Sequence, residues 1–283
     1  MRSFATPGDR GLFAAVALVV AAQIAFAGRP DAAGQTLAYA APLLCLLHAA
    51  FAYGVRNAAA FFLIAFVVSV SGENIGIASG LLFGRYHFAL GPAHPQIGAV
   101  PVLAGLMWWS MGWLAWQIAA VLLDDADLRL GERGPRIALP IVATFVLEQW
   151  DYAIDRTNAT QFHIWVWRDG GGDFGVPLQN YVGWLLVGWA LFQLAALYLA
   201  RRPPQFLAPA AQPRLRIIAL AFWTGAGLAC LVPWAVGGAG EIADASGRMW
   251  RLGDLSDASV AAAVSGMLAT AAIAAAKLAL RRP

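Results

Sequence analysis

Two stretches of this 283-residue chain place acids inside otherwise apolar sequence. The first, FFLIAFVVSVSGENIGI, contains Glu73 followed by Asn74. The second, IVATFVLEQWDYAID, contains Glu148, Asp151 and Asp155. A charge held in hydrocarbon is costly, so acids in such segments are functional candidates by default. Spacings of three and four residues put Glu148, Asp151 and Asp155 on one helical stripe. A carboxyl group in an apolar pocket can serve as a proton donor. Such an acid can protonate an alkene, aromatic faces can stabilise the resulting cation, and a second carboxylate or a histidine can position and deprotonate water.

Plainer roles are open to the same groups. Glu148 and Asp151 lie near a helix end, where interfacial water could solvate them. Glu73 could pair with Arg85 as a structural carboxylate. Glu73, Asp151 and Asp155 could also hold a cation. Four histidines without a helical HxxxH pair argue against a histidine-rich di-iron centre, so no metal or other cofactor is assigned. His48 and His94 read as structural or solvated. Cys45 and Cys230 sit in apolar runs and read as packing residues, not a thiol pair.

The elements that carry these residues follow from hydropathy. The chain is 60% hydrophobic and only 12% charged, against about 25% charged for a soluble domain. A spanning helix needs about 20 mostly apolar residues, and eight segments approach this: Leu12–Ala27, Gln35–Tyr53, Ala58–Ile77, Val100–Leu123, Ile137–Asp155, Leu178–Ala200, Leu215–Val236 and Ser259–Leu280. The first fits a membrane anchor better than a cleaved signal. The fold class expected is an all-α, polytopic transmembrane bundle forming one domain over residues 1–283, with a motif-bearing core at 58–200. A net charge of +3, widely spread, gives no case for nucleic acid.

With the N-terminus inside, thirteen of the 19 Lys and Arg residues, Arg2, Arg281 and Arg282 among them, fall on that side. Arg29, Arg85, Arg156, Arg168, Arg248 and Arg251 fall on the other. The positive-inside rule then predicts cytoplasmic termini. Two long outer loops, Ala78–Ala99 and Arg156–Pro177, are too aromatic for disorder and are expected to be structured. A third, Gly237–Ala258, is acidic and predicts an ordinary solvated loop. Helices three and five run in parallel, so their acids reach one membrane face, where both aromatic loops also open. His163, Trp165 and Trp167 alternate, as in a short extended segment. An internal repeat of 58–123 with 137–200 is suggested by VPVLAGLMWWSMGW and VPLQNYVGWLLVGW, which align Pro101 with Pro177, Trp108 with Trp184, Gly112 with Gly188 and Trp113 with Trp189. Chance matching in apolar helices is the alternative.

The runs ENIGIASGLLFGRYHFALGP with GAVP, and WDYAID followed by WVW and DFGVPLQNYVGW, resemble the carotenoid biosynthesis membrane-protein family, whose best-known members are CruF-type carotenoid 1,2-hydratases. The similarity covers roughly Glu73 to Trp189. Arg156 stands where the family motif usually has Pro, and Phe88 where a second Tyr is expected. The resemblance implies a multi-helix membrane fold and hydration of the terminal C1–C2 double bond of an acyclic carotenoid end group. It marks Glu73, Phe83, Gly84, Tyr86, Trp150, Asp151, Asp155, Trp165, Trp167, Gly175, Pro177, Asn180 and Trp184.

Combining the residues with the resemblance gives a cofactor-independent carotenoid hydratase in a bacterial inner membrane. Asp151 or Glu73 would donate the proton, Asp155 with His87 would handle water, and Tyr86 and Trp150 would line the cation. Phe83, Trp165, Trp167, Asn180 and Trp184 would complete the substrate site. The partners expected are the carotenoid, water, the bilayer and other carotenoid enzymes. The alternatives are a carotenoid-binding partner of another enzyme and a proton-coupled lipid transporter.

Overall fold

The computed structural model describes residues 7–25, 27, 32–90, 94–202 and 213–280. Arg2, Arg29, Arg281 and Arg282 of the charge count, and Gly91 and Pro92 of the first motif, lie outside them.

The chain is an all-α membrane bundle. Its helices are α1 (Pro7–Ala25), α2 (Ala32–Tyr53), α3 (Val55–Ser79), α4 (Val102–Leu122), α5 (Arg133–Arg156), α6 (Leu178–Leu199), α7 (Pro213–Ala229), the short α8 (Val232–Val236), α9 (Leu252–Ala262) and α10 (Ala269–Leu280). A wide π-turn at Ala263–Leu268 joins the last two into one rod. Among the described residues six helical segments are long and apolar enough to cross a membrane: Pro7–Ala25, Val55–Ser79, Arg133–Gln161, Leu178–Leu199, Pro213–Val236 and Leu252–Leu280. The apolar stretch Tyr39–Tyr53 belongs to α2.

The remaining long helix, α4, is of a different kind. It is buried without a break from Trp108 to Val121, and α2, α3, α5, α7 and α10 all pack on it. A helix that is apolar on every side belongs in a core. Its indoles, Trp108, Trp109, Trp113 and Trp116, supply bulk and each has a hydrogen-bond acceptor. Around it, α3, α4, α5 and α6 close a ring in which each helix packs on two of the others. The outer helix α1 packs on α2 and α7, and Asp9 of α1 pairs with Arg214 at 2.8 Å.

At the end where α3 and α5 finish and α4 and α6 begin, the two aromatic loops join. Strand β1 (Tyr86–Phe88) pairs antiparallel with β4 (Trp165–Trp167), in register Tyr86↔Trp167, His87↔Val166 and Phe88↔Trp165. Strands β2 (Gln96–Ile97) and β3 (Val100–Pro101) form a small hairpin. Asn74 of α3 pins it, accepting from Ala99 N–H and donating to the Ile97 carbonyl, both at 3.0 Å.

The segment 237–258, whose acidity predicts a solvated loop, folds instead. Strands β5 (Glu241–Ala243) and β6 (Met249–Arg251) form a hairpin, and α9 starts at Leu252, seven residues before the expected Ser259. The turn is organised by Asp244, which is buried. Burial works to raise its carboxyl. Hydrogen bonds from Ser246, from the Trp250 indole and from backbone N–H groups of Arg248 and Ser246 nevertheless hold it below the usual carboxylate range. Trp250 packs on Phe174 with centroids 4.9 Å apart, so the hairpin braces the second aromatic loop.

The opposite end is locked by a buried cation. Arg216 of α7 donates to Gln117 at 2.6 Å, to both oxygens of Asp127 at 2.8 Å and to Asp125 at 3.2 Å. Tyr53 donates to Asp127 at 2.6 Å and accepts from Trp116 at 2.8 Å. One network therefore ties α2, α4, α7 and the α4–α5 turn. Removing one partner of a buried pair strands the other charge. Asp127→Ala is expected to lower stability by about 3–5 kcal/mol, read by thermal unfolding in detergent, whereas the exposed Arg129→Ala should change it by less than about 0.5 kcal/mol.

Candidate active site

The ring of α3 to α6 encloses a cavity of about 200 Å³ beneath the paired loops. Glu73 and Asp155 both line it. The arrangement begins with strand alternation. Successive side chains in β1 and β4 point to opposite faces, so Tyr86, Phe88, Trp165 and Trp167 turn towards the cavity together. His87 and Val166 fall on the other face.

Glu73, in the penultimate turn of α3, is 6% exposed. It accepts from the Tyr86 hydroxyl and, at 2.9 Å, from the Trp108 indole. Arg85 does not pair with it. The guanidinium makes two hydrogen bonds of 2.7 Å to Asp169 across the two loops, and these bonds hold the Asp169 carboxyl below its ordinary range.

Asp151 and Asp155, one turn apart on α5, are 0% and 2% exposed. Asn180 of α6 donates its amide to both, the bond to Asp151 measuring 3.3 Å. Asp151 Oδ1 is buried without a partner. Only Asp155 of this pair lines the cavity. The next residue, Arg156, is 2% exposed and does not reach water. It pairs with Asp173 at 2.8 Å and covers the Tyr152 ring at 4.0 Å. Tyr181 donates to the same Asp173 at 2.6 Å, which clamps the second aromatic loop between α5 and α6.

The cavity wall is indole. Trp108 and Trp184 stack at 3.6 Å with 10° between their planes, and Trp150 meets Trp184 edge-on at 6.0 Å. The two residues aligned by the suggested repeat are thus in direct contact, and Pro101 and Pro177 each precede the first turn of α4 and α6. Trp113 is fully buried while Trp189 is 47% exposed, so the paired positions differ in surroundings. Close approach of the loop to α6 depends on Gly183, where a Cβ would lie 2.2 Å from the Leu82 carbonyl.

Of the residues singled out from sequence, Glu73, Tyr86, Trp150, Asp155, Trp165, Trp167, Asn180 and Trp184 meet at the cavity. Phe83 is buried behind it, against Gly76 and Tyr86. His87 is exposed on the far face of β1, which separates it from Asp155. Glu148 lies two turns below Asp155, off the cavity, with one buried oxygen unpartnered. Among the described residues no three His, Cys, Asp or Glu side chains are arranged to hold a metal ion, so the three acids do not form a cation cage. Sequence reasoning missed Trp108 as a site residue. Its alignment with Trp184 was the signal that could have found it. It also missed Met107, Ile154, Asn158 and Ile164, which line the cavity and carry no distinctive pattern.

A family model described as carotenoid biosynthesis protein matches residues 34–240. The chain belongs to the carotenoid biosynthesis protein family. No curated protein and no solved structure matches it. Membership gives the protein a role in carotenoid biosynthesis and a lipid and carotenoid context. The matched span contains the whole ring of α3 to α6 and both aromatic loops and stops just before the β5–β6 hairpin. In this carotenoid biosynthesis protein, Asn180 is a neutral donor shared by two buried carboxyls. Asn180→Leu keeps similar volume and removes it, so a stability loss of about 1–3 kcal/mol is expected, read as a lowered melting temperature in detergent.

Proposed function

We propose that this member of the family is a carotenoid hydratase, adding water across the terminal C1–C2 double bond of an acyclic end group. The observation that carries the reading is that Glu73 and Asp155 line one small apolar cavity walled by indoles. The cavity suits the end of a polyene, whose remaining length stays in the bilayer.

The two carboxyls have different surroundings, and this divides the work. Asp151 and Asp155 are buried one turn apart with a single amide donor between them, and two like charges so placed favour holding a proton. Asp155, which faces the cavity, delivers it to C2. Asp151 and Asn180 are positioning groups behind it. The C1 cation that forms is tertiary, and the faces of Trp108, Trp150, Trp184 and Tyr86 stabilise it by cation–π attraction. Glu73 accepts from two donors and remains an acceptor, the form needed to orient water and take its proton as the C1–O bond forms. One water is consumed, the C1–C2 double bond becomes single, and no electrons are exchanged, so no oxidant or reductant is required. His87 has no part in this scheme.

Expression in cells that accumulate lycopene or another ψ-ended carotenoid is expected to yield a product heavier by one water. Asp155→Asn and Glu73→Gln should each lower its formation by about 10²-fold or more, with the protein still in the membrane. Asp151→Asn should also lower it, and His87→Ala should not. Absence of product from the wild type, with pigment still co-purifying, would favour a carotenoid-binding partner of another enzyme.

The orientation belongs to the same proposal. Both termini face the cytoplasm of a bacterial inner membrane, and the cavity opens near the opposite face. A carboxy-terminal alkaline phosphatase fusion is expected to be inactive and a fluorescent-protein fusion to fluoresce. The reverse pattern would overturn this orientation.

A further inference from the structure

A hydratase in a bilayer needs two routes, because a polyene and a water molecule come from different solvents. The apolar cavity supplies the first. Its rim is made by Leu90 and Ile164 from the loops, Leu103 and Met107 from α4 and Ile154 from α5. All five are half-buried side chains with no polar group. An occupant entering past this rim fills the approach with hydrocarbon, so water cannot follow it.

A second cavity, of about 440 Å³, lies at the end of the β1–β4 ribbon, among the residues that flank the two strands, the end of α3 and the start of α6. Its lining is polar: Ser79, Gly80, Arg85, Asp169 and Gln179 contribute to it. The Arg85 and Asp169 side chains are 68% and 57% exposed, so this chamber communicates with bulk water. Among the described residues Trp167 alone lines both chambers. Its indole donates to the Phe83 carbonyl at 2.8 Å, and its ring lies 5.8 Å from that of Tyr86, the donor to Glu73. On the far side, Gly84 has φ 85°, and a Cβ there would lie 3.2 Å from Pro177 and 3.4 Å from the indole. Trp167 is therefore the side chain that the two chambers share, and the left-handed Gly84 lets the backbone pass close to its indole.

We propose that the polar chamber is the water inlet of the site, with the Trp167 indole as the partition through which water reaches Glu73 while the polyene occupies the apolar chamber. This rests on the hydration reading and adds what that reading lacks, a path for the second substrate that the first does not block. The Arg85–Asp169 pair is then the polar mouth of the inlet, holding the two loops together without closing the chamber.

Thiol labelling tests it. In a Cys230→Ala background, with Cys45 fully buried, Ser79→Cys places a thiol in the polar chamber and Met107→Cys places one at the apolar rim. A charged, membrane-impermeant methanethiosulfonate is expected to modify Ser79→Cys equally with and without bound polyene. A lipid-soluble maleimide is expected to modify Met107→Cys only when polyene is absent. The adduct at Ser79→Cys should then lower hydration about tenfold relative to the same variant unmodified, with the KM for polyene unchanged. The same adduct at Arg251→Cys, on the exposed hairpin, should not. Failure of Ser79→Cys to react, protection of it by polyene, or modification without loss of turnover would each overturn the inlet. Loss of the hydration reading shows separately, as a wild type that never turns over, and takes the inlet with it.

Discussion

Every part of this molecule near the site answers to one constraint: three carboxyl groups are buried inside an apolar bundle, and each must find donors that the bilayer cannot supply. Glu73 obtains them from Tyr86 and Trp108, and Asp151 and Asp155 share the Asn180 amide. These donors come from β1, α4 and α6, while the acids come from α3 and α5. No two neighbouring helices could satisfy the acids alone. The ring must close, and the aromatic loops must fold back over it, before the carboxyls are bearable. The Arg156–Asp173–Tyr181 clamp and the β5–β6 hairpin can be understood in the same terms, since they hold the second loop in place.

The same constraint makes the site chemically uneven. A carboxylate fed by a phenol and an indole is a stable acceptor. Two buried carboxyls one turn apart with one shared amide favour holding a proton over carrying two charges. Set across a small cavity of stacked indoles, the two are the acid and the base of the proposed hydration. The buried Arg216 network at the far end shows the contrast: there a cation is matched against Asp125 and Asp127, and the carboxyls are held by ion pairs.

Much of this was legible in the sequence, and the failures have identifiable causes. Apolar length located the eight long helices, and parallel helices with terminal acids located the end of the bundle where the candidate cavity lies. Alternation in HIWVW indicated a short extended segment; Trp165–Trp167 form a strand, whereas His163, with φ 52°, is not extended. That period-2 rule, applied to Tyr86, His87 and Phe88 once their strand partner is known, also removes His87 from the cavity. Helical spacing put Glu148, Asp151 and Asp155 on one stripe, but a stripe says nothing of which residue meets a neighbouring helix and which meets a void. Only Asp155 meets the void. The hairpin at 241–251 was missed because Asp244 reads as a solvated charge, and its four donors lie in its own turn. Arg85 looked like a partner for Glu73 because it is near in sequence, whereas the partner it takes, Asp169, is 84 residues away.

The central claim is that the buried acids move a proton and a water onto a polyene. It is tested most directly by the isotopic composition of product made by the purified protein, in lipid, from a ψ-ended carotenoid. In a mixture of heavy-oxygen water and deuterium oxide, acid-catalysed hydration predicts a product with one solvent oxygen at C1 and one non-exchanging deuterium at C2. Recovery of unchanged carotenoid, or of a product whose oxygen does not come from water, would contradict it.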